Sequence, residues 1–245
     1  MNELYSSELD TNKAWQATVE GRYSEAIMLW NSILSCEKRF GILINAGITN
    51  LLAGELNDAS RRFEEARNLP PQNTVVEFLG VVAWLAGRYE DACQNWADEI
   101  ERRRSGKIVY SDAAGGVQTA ALLWWASACT DSIQWRKIAE DELKHRWRNK
   151  QAQNNWPGKV APFLLGKIPE EELISATSSK YPSVEARRLG QAYFYIAAHH
   201  LHQGNRVAYQ LWLANSISLL DAISNAEHYL ARYEMQAGKF LSDSI

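Results

Sequence analysis

Cysteine, methionine and proline are scarce: the 245-residue chain holds three Cys, three Met and six Pro. Cys36, Cys93 and Cys129 lie far apart and form no Cys-x-x-Cys pair. A disulfide framework or zinc knuckle is therefore not expected, and a reducing compartment is. A large charge excess is missing too. The formal net charge of −3 is too small to imply an acidic surface or a nucleic acid as partner. No apolar run is long enough to span a membrane, so no membrane partner is expected. The opening stretch, Met1 to Asp10, has neither the basic start nor the apolar run of an export signal, and the expected location is cytoplasmic. Gly-x-x-x-x-Gly-Lys-Ser/Thr, Gly-x-Ser-x-Gly and His-Glu-x-x-His are all absent. The expected protein is not an enzyme, carries no cofactor and binds no metal. His199 and His202 share a helical face at a spacing that can serve a metal, but no nearby Asp, Glu or Cys completes a set.

What is present is a repeat. Gly21-Arg22-Tyr23-Ser24-Glu25-Ala26 recurs as Gly54-Glu55-Leu56-Asn57-Asp58-Ala59 and again as Gly87-Arg88-Tyr89-Glu90-Asp91-Ala92, each 33 residues after the last (54 − 21 and 87 − 54). This period suggests helix-turn-helix units. The glycines end the first helix of each pair, where a left-handed residue is needed. Ala59 and Ala92 are small where the second helix approaches the first. Tyr23, Trp30, Phe63, Tyr89 and Trp96 are large residues expected to fill the gaps between pairs. Gly47 and Gly80 fall in mid-helix, where Gly costs about 1 kcal/mol relative to Ala; close packing against the bare backbone would offset that cost. Pro70-Pro71 is expected to end the second pair.

This pattern resembles the tetratricopeptide repeat (TPR), and the resemblance implies an all-α, right-handed α-solenoid. About five pairs and a capping helix are expected. Residues 1–105 form an acidic block of three pairs, and residues 106–245 hold the remainder, joined as one continuous solenoid. In the second part, 113–129 and 132–150 read as a divergent fourth pair, with Trp124 and Trp125 pointing to different sides, one in the core and the other exposed. A short helix over 160–165 ends at Gly166, and another opens at Pro169. A final pair meets at Gly204, with Tyr209 where a small residue is expected, and a last helix over 225–241 caps the open end.

Trp156-Pro157-Gly158, Phe163-Leu164-Leu165-Gly166-Lys167-Ile168, Ala192-Tyr193-Phe194-Tyr195-Ile196 and Gly204-Asn205 are similar to the C-terminal half of bacterial NlpI-type TPR lipoproteins. Those are periplasmic adaptors that dimerise and dock proteases and hydrolases. The resemblance implies an adaptor architecture and a possible homodimer here, without the export signal.

By the TPR resemblance, the first helices line a concave groove that binds a protein or peptide. Its positions are Asn12, Trp15, Asn45, Ile48, Leu52, Phe78, Val81, Trp84 and Leu85, with Trp125 added from the fourth pair. Asn12 and Asn45 stand where peptide-binding repeats place an asparagine. Thr11, Ile44 and Glu77 stand where a carboxylate clamp needs bases, so a free C-terminus is not the expected ligand. The charge is uneven. Residues 1–100 hold 8 Lys+Arg against 15 Asp+Glu, residues 101–160 hold 11 against 6, and residues 161–245 hold 7 against 8. Arg102, Arg103, Arg104, Lys144, Arg146 and Arg148 form a candidate basic contact strip. The competing reading is a solvated helix end, where cations favour the dipole, and nucleic acid is not the expected partner. The function expected is a TPR scaffold or adaptor. An immunity-type inhibitor that neutralises a cognate bacterial toxin is the alternative.

Overall fold

Turns of one geometry recur along the chain, at Gly106 and Gly166 and at four glycines that each join two consecutive long helices. Gly21, Gly54, Gly87 and Gly204 have φ of 77°, 80°, 73° and 77°. In each, the glycine N–H donates to the carbonyl three residues back, and the next N–H to the carbonyl five back, as in Gly54 to Leu51 and Glu55 to Asn50. This is the Schellman closure, which satisfies the last carbonyls of a helix and needs a left-handed residue. A computed structural model describes residues 2–69, 75–107 and 114–242. Among the described residues every regular element is helical and there is no strand. Pro70-Pro71 and Ala113 lie outside the described residues.

The chain divides into two compact units, Met1–Val82 and Ala83–Ile245. The first holds α1 (Asn2–Val19), α2 (Tyr23–Cys36), α3 (Phe40–Ala53), α4 (Leu56–Arg67) and most of α5 (Val75–Leu85). Helix α1 packs on α2, α2 on α3 and α3 on α4. The division falls inside α5, the first helix of the expected third pair. Polar groups tie the first three helices together internally. The Trp30 indole N–H donates to Thr49 Oγ1 at 2.9 Å, and the hydroxyls of Thr18 and Thr49 lie 2.8 Å apart, all buried. Phe63 of α4 is fully buried and stacks on Phe78 at 5.0 Å between centroids. A Cβ on Gly47 would meet the Phe63 ring at 2.5 Å. The mid-helix glycine thus lets α4 seat its phenyl ring against the α3 backbone.

The second unit continues with α6 (Tyr89–Arg104), α7 (Val117–Cys129), α8 (Ile133–Trp147) and the short α9 (Lys150–Gln153), α10 (Val160–Leu164) and α11 (Glu170–Ser175). Then come α12 (Pro182–His202), α13 (Arg206–Ile217), a 3-10 turn over Leu220–Ser224 and α14 (Ala226–Ser242). Helix α7 is apolar around its circumference from Ala120 through Ala126, and such a stretch must be enclosed. It packs against α6, α8, α10 and α12. Both Trp124 and Trp125 are buried, which corrects the expectation that one is exposed. Trp125 faces Trp84 at 4.6 Å and Phe194 at 5.3 Å, while Trp124 faces His202 at 3.5 Å. Enclosure on both sides gives each indole its own aromatic wall.

The turn between α7 and α8 departs from the other four. Asp131 takes the left-handed conformation there, with φ 51°, and the Ser132 N–H still closes on Ser127 O at 3.0 Å. Ser132 caps α8 by accepting from the Trp135 N–H. Helices α12 and α13 pair closely about Gly204, and α14 packs on both.

Candidate functional site

Tyr209 stands in α13 where a small residue was expected, and it organises the polar part of the second unit. It is 7 % exposed. Its hydroxyl accepts from the Trp125 indole N–H at 3.2 Å and donates to Glu234 Oε2 of α14 at 3.2 Å. Above it opens a cavity of about 280 Å³, lined by Trp84, Tyr89, Cys129, Arg206, Tyr209 and Glu234 among others. The elements that place these groups are the end of α5, the start of α6, the end of α7, both turns of α13 nearest Gly204, and α14.

Electrostatics in the cavity favour neutral walls around one carboxylate. Burial, with the nearby Glu234 charge adding to it, pushes the Cys129 thiol well above its ordinary range. A protonated thiol is a poor nucleophile. Burial likewise lifts Tyr209 well above the usual phenol value. Burial raises Glu234, and the neighbouring Trp84 and Tyr209 donors only partly oppose it. The Trp84 indole nitrogen is close enough to lower that carboxylate's pKa but stays outside hydrogen-bond geometry. At the rim, Tyr89 is 40 % exposed and its hydroxyl lies 2.9 Å from that of Tyr233. Arg206 is exposed at the mouth.

The groove positions read from the sequence do not all reach a surface. In the first unit Asn12 is exposed, and Trp15, Asn45 and Leu52 are half-buried. Ile48, Phe78 and Val81 are buried, so they are core rather than groove lining. In the second unit Leu85 is half-buried, while Trp84 and Trp125 are buried. Trp84 packs on Tyr89, Trp96 and Trp125 and also lines the cavity. Apolar spacing marks a helix face in both cases, and it cannot tell a concave surface from an inter-helix seam.

The basic strip also changes meaning. Arg103, Arg104 and Arg146 converge on the fully buried carboxylate of Glu142 in α8. Arg104 Nε and Arg146 Nε donate to it at 2.7 and 2.6 Å, and Arg103 Nη1 lies at 3.4 Å. Burial pushes the Glu142 carboxyl up. The Arg146 charge and hydrogen bond, the Arg104 hydrogen bond and the Arg103 charge outweigh that and hold it below the usual range. Arg103 Nη1 also donates to Gly115 O and Gly116 O at 3.1 and 3.0 Å. A Cβ on Gly116, whose φ is +82°, would lie 2.1 Å from the Arg103 guanidinium. Arg102 approaches Glu99 at 4.0 Å, and Lys144 approaches Glu140 at 3.3 Å. Arg148 is exposed. Arg103 and Arg104 thus join α6 to α8 through Glu142, while Arg102, Lys144 and Arg148 stay at the surface.

The histidines are built into packing. His202 Nε2 lies 2.9 Å from Trp124 O, and burial pulls its pKa down to about 4. His200 meets Glu170 at 3.2 Å. Among the described residues no group of three His, Cys, Asp or Glu is placed to hold a metal ion, and no helix is long and apolar enough to cross a membrane. The chain matches no protein-family model and no curated protein sequence.

Sequence reasoning missed Tyr209 and Glu234 as site residues. One signal was there: a tyrosine interrupting the small-residue position of the repeat. Nothing local marked Glu234, which reaches the cavity only because α14 packs on α13.

Proposed function

We propose that the protein is a non-catalytic interaction module, a TPR-like helical scaffold that binds a protein or peptide partner. The observation that carries this reading is on α13. Val207 is 81 % exposed and Leu211 is 60 % exposed. They stand one turn apart on the flank next to Arg206 and Gln210, which line the cavity. Single exposed aliphatics are ordinary, whereas an aliphatic pair bordering a cavity supports a contact surface. The protonated Cys129 and Tyr209 favour binding over nucleophilic chemistry. Asn12, Trp15, Asn45 and Leu52 keep surface on α1 and α3 and suit the same role in the first unit. The test is capture from a lysate of the native host, quantified by mass spectrometry, with wild-type chain and with the Val207→Glu/Leu211→Glu double variant as baits. The expected result is a defined set of proteins reduced at least tenfold on the double variant, with an unchanged circular dichroism spectrum. Equal capture by both baits would sink the reading.

A further inference from the structure

The cavity beside α13 holds a carboxyl group, Glu234, with no cation paired to it. Glu234 is half-buried, and its close partners are neutral: the Tyr209 hydroxyl donates to one oxygen, and the Trp84 indole approaches without bonding. The other groups facing it are Tyr89 from α6, Cys129 from α7 and Arg206 from α13. Cys129 stays protonated, and Arg206, exposed at the mouth, makes no ion pair with Glu234. The volume, about 280 Å³, falls just below the usual range for small-molecule sites, roughly 300–1,000 Å³. It suits a single inserted side chain. Its lining includes the aliphatic side chains of Leu201 and Leu213, the phenol of Tyr89 and the carboxyl group of Glu234. An aliphatic stem ending in a cation fits that combination of groups: the stem packs on carbon, and the charge meets an aromatic ring and a carboxylate.

We propose that this cavity binds an alkylammonium group, the lysine side chain of a protein partner seated on the Val207–Leu211 flank of α13. The ammonium pairs with Glu234 beside the Tyr89 ring, and the partner backbone crosses the rim at Arg206 and Gln210. This deepens the interaction reading and rests on it for the source of the lysine. A neutral amide would leave the carboxylate charge uncompensated, and an anion would meet it directly.

The test uses the full chain and ligand-observed NMR with three probes: the Nα-acetyl methylamides of lysine, norleucine and glutamine. Binding of the lysine probe alone is expected. Glu234→Gln should weaken it at least tenfold. Arg206→Gln, at an exposed position that does not threaten folding, should strengthen it by removing a like charge from the mouth. Comparable binding of the norleucine or glutamine probe overturns the assignment, as does unchanged affinity in Arg206→Gln or in a folded Glu234→Gln. Free butylammonium binding far more tightly than the lysine probe overturns a protein source. The two readings fail separately. Partner capture lost on the α13 double variant, without binding of the lysine probe, removes the cavity assignment alone. Probe binding with partner capture unchanged removes the interaction reading, and with it the protein source of the lysine, but not the alkylammonium site.

Discussion

A glycine in mid-helix and an aspartate in a left-handed turn are opposite departures from local preference, and each has a measurable consequence. At Gly47 the helix forgoes about 1 kcal/mol of propensity relative to Ala so that Phe63 can lie on its backbone. Phe63 is fully buried and held by its stack on Phe78, so the ring has no room to retreat. Gly47→Ala should therefore destabilise the chain by about 1–3 kcal/mol, the usual cost of overpacking, despite the gain in propensity. Urea unfolding checks this. Adding Phe63→Leu should make the pair clearly less than additive, since the two sites touch. Asp131 is the converse. Its φ of 51° carries a Cβ cost that Asp tolerates better than most residues. Asp131→Gly should raise stability by up to about 1 kcal/mol, read as a higher melting temperature. A lower one would mean that the Asp131 side chain holds the turn.

Between elements, the three arginines around Glu142 are the strongest electrostatic feature of the second unit. Removing one side of a buried ion pair leaves the other uncompensated, at about 3–5 kcal/mol. Glu142→Gln should cost about that much near neutral pH, because Arg103 is itself buried. The pH dependence follows from the direction of the shift. A carboxyl held below its ordinary value contributes its stability above the unfolded-state pKa. That contribution is lost as pH falls through the lower folded-state pKa. The stability gap between wild type and Glu142→Gln should thus be widest above about pH 5 and close progressively in more acid solution. A gap independent of pH would show that Glu142 acts through packing rather than charge. Gly116 belongs to the same device, since any side chain there would collide with the Arg103 guanidinium.

At the scale of the whole molecule, the proposed role depends on surfaces that the fold leaves open rather than on any reactive group. The exposed α13 pair and the carboxylate cavity lie side by side in one unit. A partner using both would bury an aliphatic strip and neutralise one charge, a combination suited to specific, moderate-affinity docking. The double variant on α13 tests the strip, and the lysine probe tests the cavity.

The 33-residue recurrence of Gly and Ala pointed by itself to a helical chain and to the glycine turns at 21, 54 and 87. Those choices are local: a left-handed cap needs glycine, and close helix approach needs alanine. Gly21, Gly54, Gly87 and Gly204 all sit in that turn, and the small residues Ala59 and Ala92 are fully buried. What faces what was decided only in three dimensions. The TPR resemblance put Ile48, Phe78, Val81, Trp84 and Trp125 in a groove, but a buried seam takes the same helix positions, and all five are buried. The arginine run read as a surface strip because its counter-charge, Glu142, lies 38 residues from Arg104. Tyr209 and Glu234, 25 residues apart, become one site because α13 and α14 pack together. Periodicity records which residues share a helix face. Only packing settles whether that face meets protein or solvent, because burial depends on partners distant in the chain.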